Sequence, residues 1–227
     1  MVEKMLLTGI TRKVGRDPLM MFVMTLQLKI CLRKVKVKIN MSKLIAFVGS
    51  PRKNGNIDTV VKEVIRGATE KKIDTKIYYL NDMTIKPCQA CMYCREPEHD
   101  HCVIQDDLRQ VYAEIKEADY LILSSPVYIH QMSGLLKNLL DRFYPLTNEK
   151  HKPRFGIKKT IFIYSQAAPI PLIFNRYFRY TEKSLKAMGI KPIKRITVLG
   201  AFTKDSIQKK KGVLNKAYNI GKNLATN

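Results

Sequence analysis

Lys43-Leu44-Ile45-Ala46-Phe47-Val48-Gly49-Ser50-Pro51-Arg52-Lys53-Asn54-Gly55-Asn56 reads as a buried strand, a polar turn and a helix cap. Leu44 to Val48 is an unbroken apolar run closed by Gly49, the pattern of a strand covered on both faces of a parallel sheet. Asn56 is placed to cap a helix from about Ile57 to Thr69, where Val60, Val61, Val64 and Ile65 recur at helical spacing. The alternation then repeats. Strands are predicted over 75–80, 120–124, 160–164 and 195–199, and helices over 106–117, 133–144, 171–188 and 204–224. Strand alternating with helix implies right-handed crossovers and an α/β three-layer sandwich around a five-stranded parallel sheet, with strand order 2-1-3-4-5. Ligands of such sheets sit beyond the carboxyl ends of the strands where the order reverses, so the loop after the first strand is the place for one. Hydroxyl, guanidinium, amide and backbone N–H groups leading into a helix N-terminus suit a terminal phosphate. The loop has neither the Gly-Lys-Ser/Thr of a Walker A motif nor a GxGxxG pattern, which disfavours a nucleoside triphosphate.

Two further loops lie at the same edge. Ser124 to Gly134 offers Pro126 to fix the chain and Tyr128 as an aromatic wall for a flat ring. His130 in that loop invites a role as proton donor, although a loop histidine is more often a solvated group. Tyr164 to Ala168 follows the fourth strand.

Four of the five cysteines fall within fifteen positions, as Cys88-x2-Cys91-x2-Cys94-x7-Cys102, between the second strand and the next helix. Cysteines at consecutive x2 spacing let one tight loop aim three thiolates at a single centre, as in bacterial iron-sulfur cluster loops. Zinc held by the cysteines, with His99 or His101 as a replacement ligand, is the alternative; a redox dithiol pair and free thiols are others. Structural disulfides fit poorly with a reducing cytoplasmic setting, which the lysine-rich chain and the lack of an evident secretion signal favour. Cys31 stands apart and is assigned no role.

Lys and Arg number 41 against 19 Asp and Glu, a formal charge of +22 over 227 residues. That excess steers acidic partners, although a lysine-rich high-temperature composition gives the same number without one. No zinc-finger, helix-turn-helix or RNP motif accompanies it, and Trp is absent, so nucleic acid is not the expected partner. Residues 1–40 lack a clean period, and the apolar patch Leu19 to Leu28 is too short to cross a bilayer. They are expected to be an extension, disordered or a misassigned start, without a part in catalysis; residues 41–227 form the domain.

Taken together, the loop GSPRKNGN, the segment Pro87-Cys88-x2-Cys91-x2-Cys94 through Cys102 to Asp107, Ala118-Asp119, Ser125-Pro126-Val127-Tyr128 and Leu136 to Arg142 resemble the NADPH-dependent FMN reductase superfamily. More narrowly, they resemble the archaeal iron-sulfur flavoproteins. The resemblance runs from Met41 to the C-terminus. It implies a flavodoxin-like fold carrying FMN and a [4Fe-4S] cluster, assembled as a homodimer or dimer of dimers. Carried over by motif, Ser50, Arg52, Gly55 and Asn56 would hold the FMN phosphate, and Ser125, Pro126, Val127 and Tyr128 would border the isoalloxazine. Cys88, Cys91, Cys94 and Cys102, on a loop spanning 86–104, would hold the cluster; no residue is assigned a catalytic role. Ile57 stands where relatives carry Thr or Ser, with Thr59 a candidate to compensate. The family implies electron transport, with ferredoxin or another acidic carrier as donor and dioxygen or peroxide as acceptors. The competing readings are an NAD(P)H-dependent FMN or quinone reductase whose cysteines hold no metal, and a non-enzymatic basic binding protein on the same scaffold.

Overall fold

A computed structural model describes residues 41–224. The expectation for residues 1–40, with Cys31, lies outside the described residues. Strands β1 (Lys43–Val48), β2 (Asp74–Tyr79), β3 (Tyr120–Tyr128), β5 (Lys158–Ser165) and β6 (Ile190–Val198) form one parallel sheet in the order β2-β1-β3-β5-β6. Counted among the five long strands, this is the 2-1-3-4-5 arrangement. The short β4 (Gln131–Met132) pairs antiparallel with the end of β3. Helices α1 (Asn56–Glu70), α2 (Leu108–Glu117), α3 (Gly134–Asp141), α4 (Asn175–Ser184) and α5 (Lys211–Lys222) cover the two faces.

The apolar run in β1 divides between two cores because successive side chains point to opposite faces. Ile45 and Phe47 join Leu121, Leu123 and Phe162 against α2, α3 and α4. Leu44, Ala46 and Val48 join Ile122, Ile161 and Ile163 against α1 and α5. Helices α1 and α5 approach closely: a Cβ on Gly221 would run into the Val64 backbone, and one on Gly67 into the Tyr218 and Lys222 backbone. Among the described residues no helix is long and apolar enough to cross a membrane.

Several element ends differ from expectation, each for a local reason. The helix expected from 171 starts at Asn175 and passes at Leu185 into a 3₁₀ turn, which ends at Gly189 with φ +80°. The last strand begins at Ile190 and includes Pro192. It tolerates the missing N–H because β6 is an edge strand, with a register shift opposite at Thr160/Ile161. The last helical region is a 3₁₀ turn, Ser206–Lys209, followed by α5. Asn56 does not cap α1. Gly55 occupies that position without a side-chain bond, and Asn56 is already helical.

Candidate functional site

The loop leaving β1 is shaped before any ligand is considered. Gly49 N–H bonds Ser124 C=O at 2.9 Å, an approach so close that a Cβ there would stand 2.7 Å from the same oxygen. Ser50 Oγ accepts the Arg52 N–H at 3.3 Å, and Gly55 N–H bonds Arg52 C=O at 3.1 Å, tightening the turn. Asn54 sits at φ +56°, and its N–H donates to Asp58 at 2.6 Å. Asp58 is fully buried in the first turn of α1, where a carboxylate is favoured by the helix dipole, and also accepts from Tyr79 Oη at 3.0 Å. Lys62 pairs with it at 3.0 Å.

This loop, the end of β3 and the loops after β5 and β6 enclose a cradle of about 210 Å³ lined by Ser50, Arg52, Asn56, Pro126, Val127 and Tyr128, with Phe202 across from them. Six of the eight residues expected for the flavin thus meet in one cavity. Gly55 stands just behind it, where a Cβ would press on Arg52 C=O. Ser125 is wholly buried, and its Oγ is spent on the Pro126 carbonyl, Ser133 Oγ and the Ser133 N–H. The Asn56 amide lines the cradle but is bound elsewhere: Nδ2 donates to Thr203 C=O at 2.7 Å, and Oδ1 accepts the Ile207 N–H at 2.8 Å. What Asn56 presents is therefore a pinned helix start. Thr59 Oγ1 donates to Gly55 C=O at 2.9 Å, so it does not replace the hydroxyl absent at buried Ile57.

Sequence reasoning missed Ser165, Ala167, Ala201 and Phe202 as lining residues and Asp58 as the support of the β1 loop. The first two lie on a loop it had noticed, and Ala201 and Phe202 follow the last strand at the same sheet edge. Between Ser165 and Ala167, the buried Gln166 donates twice to Ala168 and Ile170 carbonyls, while its Oε1 has no partner. The cavity is smaller than the ~300–1,000 Å³ of an enclosed small-molecule site, so a nucleotide-sized ligand would keep part of its surface open.

Tyr128 borders the cradle at the base of a two-residue turn, Ile129 and His130, in which both residues have positive φ, +45° and +64°. That geometry matches the primed turns that join antiparallel strands. His130 packs edge-on against Phe174 at 5.5 Å and does not line the cradle.

The cysteine loop leaves the same edge, because β2 lies beside β1 with Tyr79 paired to Val48. Cys88, Cys91, Cys94 and Cys102 all line one cavity of about 80 Å³, with Met92, Ile104 and Tyr144 as apolar walls. Ala90 and Met92, which alternate with the cysteines, have φ of +52° and +63°. Left-handed residues in such a turn direct successive N–H groups inward, as in backbone nests around phosphates and iron-sulfur clusters. All four cysteines are free thiols. Among the described residues, the group whose ligand atoms lie within 4.8 Å of one another is Glu96, Glu98 and His99; the cysteine sulfurs do not form one. Tetrahedral zinc at Zn–S ≈ 2.3 Å requires sulfurs under about 4 Å apart. A cluster, whose irons each take one thiolate, spreads its ligands more widely, so the wider spacing fits it better than zinc. Burial pushes the Cys94 thiol up, and the neighbouring charges of Cys102, Cys88 and Cys91 push it further. Four sulfur donors gathered on one small cavity are a ligand set suited to a cationic centre.

His99 and His101 are outside that cavity. His99 stacks on Tyr93 with ring centres 3.6 Å apart and Nδ1 3.0 Å from Tyr93 C=O; His101 bonds Asp100 at 3.1 Å. Two arginines tie the loop to the segment at 147–154. Arg154 contacts the carbonyls of Cys94, Glu96 and His99, and Arg95 those of Thr147 and Glu149. The two candidate sites are themselves joined: Lys53 of the β1 loop pairs with Asp82, on the segment leading to the cysteines, at 2.5 Å.

Sheet order, crossover and the ligand cradle at the reversal point define a flavodoxin-like α/β protein. The profile of NADPH-dependent FMN reductases matches residues 42–168, more than half of the chain. The chain belongs to that family. It is 40% identical over 104 residues to an iron-sulfur flavoprotein of Methanocaldococcus jannaschii, covering 46% of this chain and 53% of the relative. It is 34% identical over 100 residues to an iron-sulfur flavoprotein of Methanosarcina thermophila, covering 44% and 51%. The chain spans about half the length of these curated relatives. Among solved structures, an NAD(P)H:quinone oxidoreductase from Methanothermobacter marburgensis superimposes with a TM-score of 0.62 at 17% identity, over 81% of this chain and 96% of that one. At that identity the likeness concerns the fold alone.

Proposed function

We propose that this protein is an iron-sulfur flavoprotein of electron transport, with FMN in the β1-loop cradle and a [4Fe-4S] cluster on Cys88, Cys91, Cys94 and Cys102. The observation that carries the reading is the convergence of all four cysteines on one apolar cavity, on a loop that follows β2 at the sheet edge of the β1-loop cradle. When bound, a cluster passes single electrons and a flavin takes one or two, so the pair allows single electrons to gather for a two-electron reduction.

The residues divide the work. Ser50, Arg52 and the N–H groups at the start of α1 bind the phosphate, with Arg52 supplying charge and Gly55 the room for the backbone to close. Pro126, Val127, Tyr128 and Phe202 border the ring and keep water from part of it. Met92, Ile104 and Tyr144 supply apolar walls beside the cysteines. A ferredoxin or another acidic carrier is the proposed donor, drawn by the +22 charge. The acceptor proposed is dioxygen or peroxide, and the assembly a homodimer or dimer of dimers.

Anaerobic purification followed by visible spectroscopy and iron and acid-labile sulfide assays tests the reading. The expected result is flavin absorbance plus a reductant-bleachable shoulder, with four irons per chain lost in Cys91→Ala. Flavin without iron, reduced directly by NADPH, would replace it with the NAD(P)H-dependent reductase reading, and stoichiometric zinc would refute the cluster.

A further inference from the structure

The motif ending α3 finishes on a guanidinium that solvent does not reach. Arg142 is 1% exposed, and its side chain and that of Asp106 are both fully buried as a pair. Nη1 donates to Asp106 Oδ2 at 2.6 Å and to Lys86 C=O at 2.6 Å; Nη2 donates to Asp106 Oδ1 at 3.3 Å. Asp106 accepts in addition the Lys86 N–H at 3.0 Å and the Leu108 N–H at 3.2 Å. Lys86 and Asp106 are the two ends of the cysteine loop, so this single pair draws its neck closed. The neighbours repeat the pattern: Thr84 and Asp107 exchange two bonds across the neck, and Asn138, one turn before Arg142 on α3, donates to Ile85 C=O at 2.6 Å.

One donor is left over. Arg142 Nε is buried and has no partner, a costly state unless an acceptor arrives. Cys102 is 7% exposed and packs in the same core as Tyr112. Tyr112 Oη in turn donates to Arg142 C=O at 2.7 Å, fixing the end of α3 beside that cysteine. A permanently charged guanidinium in a dry surrounding acts strongly on any charge change nearby. Cluster potentials follow net charge and hydrogen bonds at sulfur, and positive charge favours the reduced state, which carries one more electron.

We propose that Arg142 is a positioning residue for the cluster, closing the neck of the cysteine loop through Asp106 and Lys86 while its buried charge raises the cluster's reduction potential. The proposal rests on the iron-sulfur reading above. It gives Leu136 to Arg142 a task that packing of α3 alone does not require, since an apolar side chain would fill the same space without the buried ion pair.

The test is a dithionite titration of the anaerobically purified full-length protein, each cluster taking up one electron, followed by electron paramagnetic resonance, with the flavin titrated optically as internal reference. Arg142→Gln is expected to lower the reduced-to-oxidised cluster ratio at a fixed potential about tenfold, a shift of ~59 mV for a one-electron couple, and to leave the flavin within threefold of wild type. Asp106→Asn, which removes the opposing charge, is expected to move the ratio in the other direction. Arg142→Lys is expected to stay within threefold of wild type. If Arg142→Gln does not fold, the opposite shift in Asp106→Asn and the retention in Arg142→Lys carry the test. An iron-loaded Arg142→Gln with an unchanged cluster ratio, or an Asp106→Asn shift of the same sign as Arg142→Gln, overturns the proposal alone. Wild-type protein without iron and sulfide overturns the iron-sulfur reading and this inference with it.

Discussion

Asp58→Ala tests whether the loop after β1 is built from beneath by a buried carboxylate. In the folded chain that carboxylate accepts the Asn54 N–H at 2.6 Å and Tyr79 Oη at 3.0 Å, and pairs with Lys62 at 3.0 Å. Each hydrogen bond to a charged acceptor contributes about 1.5–3 kcal/mol. The Lys62 contact adds less than about 1 kcal/mol, because the lysine is nearly half exposed. Two strong bonds and one weak one bound the loss at ~3–7 kcal/mol. The Asn54 amide lies at the loop surface and regains water once the loop opens, which brings the expected cost to ~3–4 kcal/mol. At ~2–4 °C per kcal/mol for a chain of this size, the melting temperature should fall by roughly 6–16 °C. Urea titration and thermal melts measure this, with Lys62→Ala as a control expected to lose under about 1 kcal/mol. Amide exchange at Asn54 should accelerate in Asp58→Ala and not in Lys62→Ala. A loss below about 1 kcal/mol in Asp58→Ala, with Asn54 exchange unchanged, would show that the loop holds its shape by other means.

Three further expectations follow from separate parts of the molecule. Arg52→Ala should weaken FMN retention by about 1.5–3 kcal/mol, roughly 10- to 150-fold, measured by equilibrium dialysis; unchanged affinity would remove Arg52 from the site. Gly221→Ala should destabilise by about 1–3 kcal/mol through overpacking against the Val64 backbone, whereas alanine in an open helix position would stabilise by up to ~1 kcal/mol; the sign of the change in urea stability decides. The buried Asp106–Arg142 pair should make stability sensitive to acid. Burial alone would raise the Asp106 carboxyl, but the Arg142 guanidinium and the Lys86 N–H outweigh it and hold the carboxyl below its ordinary value. Its folded pKa is depressed, so the contribution is complete above the unfolded value of about 3.9 and is lost as pH falls through the lower folded value. Urea stability of wild type should therefore decline below about pH 4, with a shallower slope in Asp106→Asn, and equal slopes would contradict this.

Much of the fold was legible because it rests on short-range pattern. A five-residue apolar run closed by glycine can be satisfied only inside a covered sheet, and the alternation with helical periods leaves few topologies open. The cysteine spacing was legible for a similar reason, since two intervening residues confine a loop to a tight turn. Element ends were less so. Pro192 reads as a break in a strand, and only the edge location of β6 makes it acceptable.

The sequence by itself determined the α/β order, the strand-to-loop position of the β1-loop cradle, and a cysteine loop after β2. Only the tertiary structure decided which polar groups those loops leave free. Asn56 looked available, but its amide is consumed by Thr203 and Ile207, about 150 residues later. Ser125 looked like a wall of the ring pocket, yet its hydroxyl is spent on Ser133 and Pro126. Arg142 stood in the sequence only as the last residue of the motif Leu136 to Arg142, and the fold buries it at the neck of the cysteine loop. The physical reason is common to all three. A backbone pattern is set by neighbours along the chain, whereas the partner of a polar side chain is set by whatever distant segment the fold brings within 3 Å, and burial then makes that partner obligatory.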